Sequence, residues 1–480
     1  MKNLGANDIV LIDGSPHRIG EAIANSFVLG DRLIGLSGGQ ILHIPQADLI
    51  ISHDAVSQSA MAFEEMKATL PEQITAFYQE FARLLGDEQI FRQIRTVNEA
   101  DVSIAKCRGR STTRLTLTDS MRRDMINALL TWARTPQVNG SILETTEHSG
   151  WQVSSIKAPL GVVAFVFEGR PNVFADATGV LRSGNSCVFR IGSDALPTAQ
   201  AIMDLAVRPA LLMSGLPVGA VMLVESRSHA SGWALFSDRR VSLAIARGSG
   251  KAVAQLGSVA QQHGIAASLH GMGGAWMIAG EHADSRWFEQ VVRNSIDRKV
   301  CNTLNVCCVL RARAQELVPI FIEAFDATAK NKGVRAVLHL DAESKAIQSK
   351  APSATTFVDL DPSDLSTEWE WEDNPECSLV IVENLQDAIA LFNESAPRFI
   401  VSIISEDPAE REQVWREADA PFVGNGMTRW VDGQFALDKP ELGLSNWQSG
   451  RMLGRGGILS GDSVFSVRHI ANQYDADIHR

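Results

Sequence analysis

The sequence has no surplus of positive charge: 44 Lys and Arg stand against 56 Asp and Glu, a formal net charge of −12. That argues against a nucleic-acid partner, which is met by concentrated basic surface, but not against small anions, which need only a few placed donors. Cysteine is sparse and unpaired. The six thiols are Cys107, Cys187, Cys301, Cys307, Cys308 and Cys377. They form no C-x-x-C framework, and a chain of 480 residues needs no disulfide staples. Reduced thiols are expected, and no metal site is read from the sequence. The first residues show no basic patch followed by an apolar run of secretory type. No apolar stretch approaches the roughly 20 residues that span a bilayer. A cytoplasmic protein without a membrane partner is therefore expected. Internal repeats and low-complexity tracts are missing too.

What is present is the composition of a well-packed α/β protein, with 45% hydrophobic residues, 21% charged residues and 37 glycines. The length predicts two or three domains. Residues 1–60 read as a β-rich extension, in which Ile9–Ile12, Arg32–Leu36, Ile41–Ile44 and Leu49–Ile51 are short runs cut by turn residues. Helices follow. Ile74, Phe77, Tyr78, Phe81, Leu84 and Leu85 keep a 3.6-residue period after Thr69 and Pro71, and Met121, Met125, Leu129 and Trp132 do so after Thr118. The Ile142–Ile156 segment predicts a hairpin turning at Ser149 and Gly150. Short apolar runs then alternate with helical patterns: Gly161–Phe167, Ser186–Arg190, Val221–Val224, Val241–Ala246 and Ile265–Leu269. Such alternation means a parallel sheet covered on both faces. A second αβ region runs from about Trp287 to Pro421, and Gly-rich loops finish the chain.

Several constellations in this frame can carry chemistry. Cys301 follows the cations Arg298 and Lys299 and precedes an apparent buried strand. Nearby cations lower a thiol pKa and raise its thiolate fraction; a buried structural cysteine is the competing account. Cys307 and Cys308 suit that second account, since neighbours on a strand face opposite ways. The Gly248-Ser249-Gly250 turn joins a strand to a helix, where N–H groups can face a pyrophosphate, although it lacks the full G-x-G-x-x-G spacing. Arg190 ends a strand where open α/β sheets bind ligands, and an Arg there suits a ribose or a 2′-phosphate. Arg170 and Asn172, between a strand and a helix, make an anion or oxyanion site, with a simple Asn-capped helix as the alternative.

Together the strings resemble a known family. Ala158-Pro-Leu-Gly-Val-Val163, Phe167-Glu-Gly-Arg-Pro-Asn-Val173 and Arg182-Ser-Gly-Asn185 come first. Gly215-Leu-Pro-Val-Gly-Ala220, Ala246-Arg-Gly-Ser-Gly250, Cys301-Asn-Thr303 and Arg429-Trp-Val-Asp-Gly433 follow in the same order. They are similar to successive motifs of the gamma-glutamyl phosphate reductases, also called glutamate-5-semialdehyde dehydrogenases, within the aldehyde dehydrogenase superfamily. Upstream, Asn98-Glu-Ala-Asp-Val102 and Arg114-Leu-Thr-Leu-Thr118 also resemble that family's N-terminal helices.

The resemblance implies an α/β aldehyde-dehydrogenase fold with a Rossmann-like cofactor domain, a catalytic domain and a small oligomerisation hairpin. The expected divisions are the extension 1–60, a cofactor domain 61–285 with its hairpin near 138–158, a catalytic domain 286–422 and a C-terminal return 423–480 used in oligomerisation. Cys301 is then the nucleophile, with oxyanion donors from the backbone at Cys301 and Asn302 and from Asn172. Arg170, Asn425, Thr428 and Arg429 are expected to meet the substrate. Arg190, Ser193, Arg247, Gly248, Ser249 and Gly250 are expected to meet the cofactor. The family reduces an acyl phosphate with NADPH to an aldehyde and phosphate. The expected partners are that small substrate, an acyl-phosphate-forming kinase and further copies of the chain in a homodimer or homotetramer.

Two features qualify this. Hydrolytic aldehyde dehydrogenases activate water with a Glu in a Glu-Leu-Gly-Gly string, whereas the stretch here reads Ser268-Leu-His-Gly-Met-Gly-Gly274. Without that base, phosphate rather than water is the expected acyl partner. Departures at Glu394–Phe399, Gly424–Arg429 and Ser449–Ile458 leave room for a different acyl group, so a divergent paralogue acting on another aldehyde or an acyl thioester is the alternative. Ser193 makes space for a 2′-phosphate and favours NADPH, while Asp194 beside it favours NADH.

Overall fold

The computed structural model describes residues 4–347, 354–431, 436–444 and 457–479. Asp432 and Gly433 of the Arg429 motif, and residues 449–456 of the divergent Gly-rich string, lie outside them. The chain divides into two compact units. One comprises Met1–Gly271, Lys439–Gly443 and Leu459–Arg480; the other comprises Met272–Asp438 and Leu444–Ile458. The division thus falls after Gly271, earlier than residue 285, because the strand Ala275–Ala279 pairs with the second sheet.

The first unit is built on a five-stranded sheet of β1 (Val162–Phe167), β2 (Ser186–Ile191), β3 (Val221–Leu223), β4 (Val241–Arg247) and β5 (Ala266–His270), in the order β5-β4-β1-β2-β3. Every pairing is parallel. β1 and β2 are buried along their whole length, as continuous apolar runs require when helices cover both faces. The chain leaves β1 and β4 in opposite directions across the sheet, so their C-terminal ends form a switch point where a crevice opens.

The N-terminal residues differ from their reading. Four short strands form two hairpins, but Leu49–Ile51 lies in a helix, Gln46–Met66. Its buried face includes Asp48, Ser52, Ala55 and Ser59. The Ser52 hydroxyl donates to the Ser231 carbonyl and the Ser59 hydroxyl to Ser186. A face of small and polar residues gives hydrophobic periodicity little to register, which is why the segment looked like another strand. The expected hairpin is present as Ile142–His148 and Trp151–Ala158, and the C-terminal strand Ser466–Gln473 adds to it antiparallel. The sequence pattern predicts loop for that third strand.

Arg182-Ser-Gly-Asn185 proves to be a structural knot. The buried Arg182 guanidinium donates to the Trp132 carbonyl at 2.6 Å and lies over the Tyr78 ring. The Ser183 hydroxyl donates to the Gly461 carbonyl, and the Asn185 amide bridges Leu160, Gly161 and Val464. The helices, the sheet and the returning tail are fastened by one motif.

The second unit carries a seven-stranded parallel sheet of β6 (Ala275–Ala279), β7 (Leu304–Leu310), β8 (Ala336–Leu340), β9 (Thr355–Asp359), β10 (Glu376–Val382), β11 (Ile400–Ile404) and β12 (Phe422–Gly424). Their order is β9-β8-β10-β7-β6-β11-β12. Cys307 and Cys308 on β7 enter the separate cores on the sheet's two faces, as alternation demands.

Candidate functional site

Each unit holds one group of the predicted residues. In the first, a cleft of about 630 Å³ opens at the C-terminal ends of β1, β2 and β4. Its lining includes Arg190, Ser193, Arg247, Gly248 and Ser249, so the structure brings these predicted cofactor residues together. The cations Arg110, Arg190, Arg247 and Lys251 line it against the carboxylates Glu168 and Asp194. An excess of cations fits an anionic dinucleotide.

The details redistribute the roles. The Ser249 N–H, expected to face a pyrophosphate, donates to a Glu168 carboxylate oxygen at 3.1 Å. This turn at the start of the helix Gly250–Gln262 thus already holds an anionic group, and a Cβ at Gly248 would meet that carboxyl at 2.5 Å. Arg190 is buried and donates to the Ser228 carbonyl at 3.0 Å, while its Nε finds no partner among the described residues. Burial pushes its pKa down, and Glu168 and Asp48 oppose that. Arg247 lies over the Phe167 ring and pairs with Glu441 at 2.9 Å. Asn172 precedes Val173–Ala177, a helix too short for a strong N-terminal field, and its side chain does not cap it. The Asn172 Oδ1 is buried without a partner among the described residues, so the Asn-cap alternative fails. Arg170 lies on the same loop, half-buried.

In the second unit Cys301 is half-buried on the loop that enters β7, packed beside the apolar cluster of Phe399, Phe422 and Val431. The other thiols contrast with it. Burial pushes Cys308 up to about 12 and raises Cys187, Cys307 and Cys377 as well, so these stay protonated near neutrality. Cys107 is exposed. The glycine stretch before β6 presses on the Cys301 loop: the Gly274 N–H donates to the Cys301 carbonyl at 2.8 Å. A Cβ at Gly273 would stand 2.6 Å from the Cys301 Cα and carbonyl oxygen, so only glycine permits this approach.

Lys299, read as a cation that activates the thiol, is paired instead. Its Nζ lies 2.8 Å from Glu368, whose other oxygen accepts the Gly273 N–H at 2.6 Å. The two side chains are only 5% and 13% exposed. One carboxylate therefore ties the Cys301 loop to the glycine stretch before β6. Glu368 lies 69 residues from Lys299, and nothing local in the sequence marks it.

Asn302 and its predicted neighbours form a second brace. The Asn302 amide donates to the Val431 carbonyl at 2.5 Å and accepts from Arg429, which also pairs with Asp297 at 2.9 Å. The fully buried Thr428 donates its hydroxyl to the Asn302 carbonyl at 2.7 Å. Asn425 is exposed. Chemically, the loop presents a constrained, half-buried thiol beside an apolar wall, with the nearby carboxylate engaged twice.

Residues 35–351 match the sequence model of the aldehyde dehydrogenase family. Gamma-glutamyl phosphate reductase of Rhodopseudomonas palustris (strain HaA2) is 26% identical over 425 residues, covering 85% of this chain and 92% of that protein. The crystal structure of gamma-glutamyl phosphate reductase from Thermotoga maritima superimposes with a TM-score of 0.79 at 22% identity, over 90% of this chain and 100% of that one. An engineered glycolyl-CoA reductase with bound NADP+ gives 0.64 at 15% identity, over 89% of this chain and 98% of that one. At these identities the two structures establish a shared fold.

Proposed function

We propose a reaction from one premise: the chain belongs to the aldehyde dehydrogenase family. It is an oxidoreductase acting on an aldehyde or acyl phosphate. The proposed reaction is the NADPH-dependent reduction of an amino-acid acyl phosphate, gamma-glutamyl phosphate or a close analogue, to the semialdehyde and phosphate.

In this reading the Cys301 thiolate attacks the acyl carbon, and phosphate leaves with the C–O bonding pair, so a thioester remains. Backbone N–H groups of the loop stabilise the oxyanion formed on the way. Ser249, Arg190 and Ser193, which line the cleft of the first unit, would hold a nicotinamide dinucleotide there, and it would supply the hydride that takes the acyl group to the aldehyde level. Asn302, Thr428 and Arg429 hold the loop in place. The observation that carries the reading is the state of Glu368. The carboxylate that reaches the cysteine loop is engaged by Lys299 and by the Gly273 N–H. It is therefore poorly placed to activate water, and a thioester lasts long enough to be reduced. The 26% identity to a gamma-glutamyl phosphate reductase supports the choice of acyl group.

The same proposal includes a cytoplasmic homodimer or homotetramer supplied by an acyl-phosphate-forming kinase. Exposed Ile142, Leu143, Val467 and Ile470 on the three-stranded sheet support self-association. Among the described residues no helix is long and apolar enough to cross a membrane.

The reverse reaction provides the test. The protein is incubated with glutamate semialdehyde and NADP+ or NAD+, with and without phosphate or arsenate. Cofactor reduction that requires the oxyanion is expected. Turnover without it would replace the proposal by aldehyde oxidation or thioester chemistry.

A further inference from the structure

We infer that Arg108 and Arg110, gathered by Asp194, form the seat for the 2′-phosphate of the cofactor's adenine ribose and so select NADPH over NADH. The inference rests on the reading that the first-unit cleft holds a dinucleotide. β2 ends at Ile191, and Gly192, Ser193 and Asp194 follow on the cleft wall. In sheets of this kind a residue near such a strand end meets the ribose: an acidic one favours the bare 2′-hydroxyl, and a nearby Arg accommodates the phosphate. Asp194 taken alone belongs to the first class.

Its surroundings reverse that. Arg110 Nη1 lies 2.5 Å from one Asp194 oxygen, and Arg108 Nη1 lies 3.4 Å from the other. Both arginines come from the turn that ends the helix Glu88–Cys107, a region outside the sheet. The turn is well defined: the Arg108 and Arg110 N–H groups both donate to the Ala105 carbonyl, and Gly109 has φ +66°. The backbone thus carries both side chains to the same carboxylate.

The sum of charges is two guanidinium groups against one carboxylate. A guanidinium has five N–H donors, and the planar fork matches phosphate geometry. Asp194 is 20% exposed, whereas the Arg108 and Arg110 side chains are 50% and 53% exposed. The carboxylate is covered and the cations face outward, as a site that takes up phosphate requires. Arg190 is a poorer candidate because it is buried and donates to Ser228. Lys251, on the same cleft, serves as the comparison.

The test measures binding of NADPH and NADH to the full-length protein by titration calorimetry, with 2′,5′-ADP and 5′-AMP as fragment probes. Arg110→Ala should weaken NADPH and 2′,5′-ADP about tenfold, one charge-assisted contact, while NADH and 5′-AMP stay within about twofold. Adding Arg108→Ala should widen the gap, and Asp194→Asn should tighten NADPH. Equal losses for both cofactors, no loss, or discrimination that follows Lys251→Ala would overturn the inference while leaving the cofactor site standing. A wild-type protein that binds neither dinucleotide would overturn both.

Discussion

The cleft of the first unit and the Cys301 loop of the second are built in opposite ways. The cleft lies at the C-terminal ends of its strands, and most of its charged side chains are partly exposed: Glu168, Arg110 and Lys251 are long and can turn toward what enters. The loop lies where the chain enters β7, and its polar groups are already paired in Lys299–Glu368, Arg429–Asp297, Asn302–Val431 and Thr428–Asn302. An anionic ligand needs donors that can adapt to it, whereas a nucleophile needs one geometry before the substrate arrives. The two regions therefore respond differently to mutation.

The largest effect belongs to the thiol. Cys301→Ala should lower turnover on the order of 10³-fold or more with the fold intact, measured as cofactor reduction alongside circular dichroism. The next test sets one glycine from each region against the other. Gly273→Ala places its Cβ against the Cys301 backbone and should cost about 10²-fold in kcat. Gly248→Ala meets only the movable end of Glu168 and should change the cofactor KM a few-fold at most. Equal effects would erase the distinction between a fixed and an adaptable site. Arg182→Met should cost roughly 3 kcal/mol in denaturant unfolding, from unpaired buried carbonyls, while kcat per folded molecule holds.

The smallest effect concerns the remaining cysteines. Near pH 8, alkylation followed by mass spectrometry should modify Cys107 and Cys301 and spare Cys187, Cys307, Cys308 and Cys377. Burial raises the folded pKa of these four above the ordinary thiol value, so the folded state holds their protons more tightly than the unfolded chain. Their contribution to stability is complete below that value and is lost as pH rises toward the folded pKa. The Tm should therefore fall as pH rises from the ordinary thiol range toward about 12.

Legibility in the sequence followed the range of the interaction. β1 and β2 were plain because a strand buried on both faces is a continuous apolar run. Thr118 was plain as the start of a helix because the Met121 N–H it accepts from lies in the same turn. The Gln46–Met66 helix was misread because its buried face includes Asp, Ser and Ala, and their partners Ser226, Ser231 and Ser186 lie more than a hundred residues on. Lys299 was seen as a cation but not as half of an ion pair, for the same reason.

The sequence by itself determined the alternating architecture, the order of the motifs and the burial of Cys307 and Cys308 on a strand. Periodicity and turn chemistry are local, and they are written within a few residues of where they act. Only the tertiary structure decided which charges remain available. Sheet order brought Glu368 to Lys299 and Gly273, the tail brought Glu441 to Arg247, and a helix end brought Arg110 to Asp194. A charge acts on whatever lies within a few ångströms, and the fold, not the spacing along the chain, sets that distance.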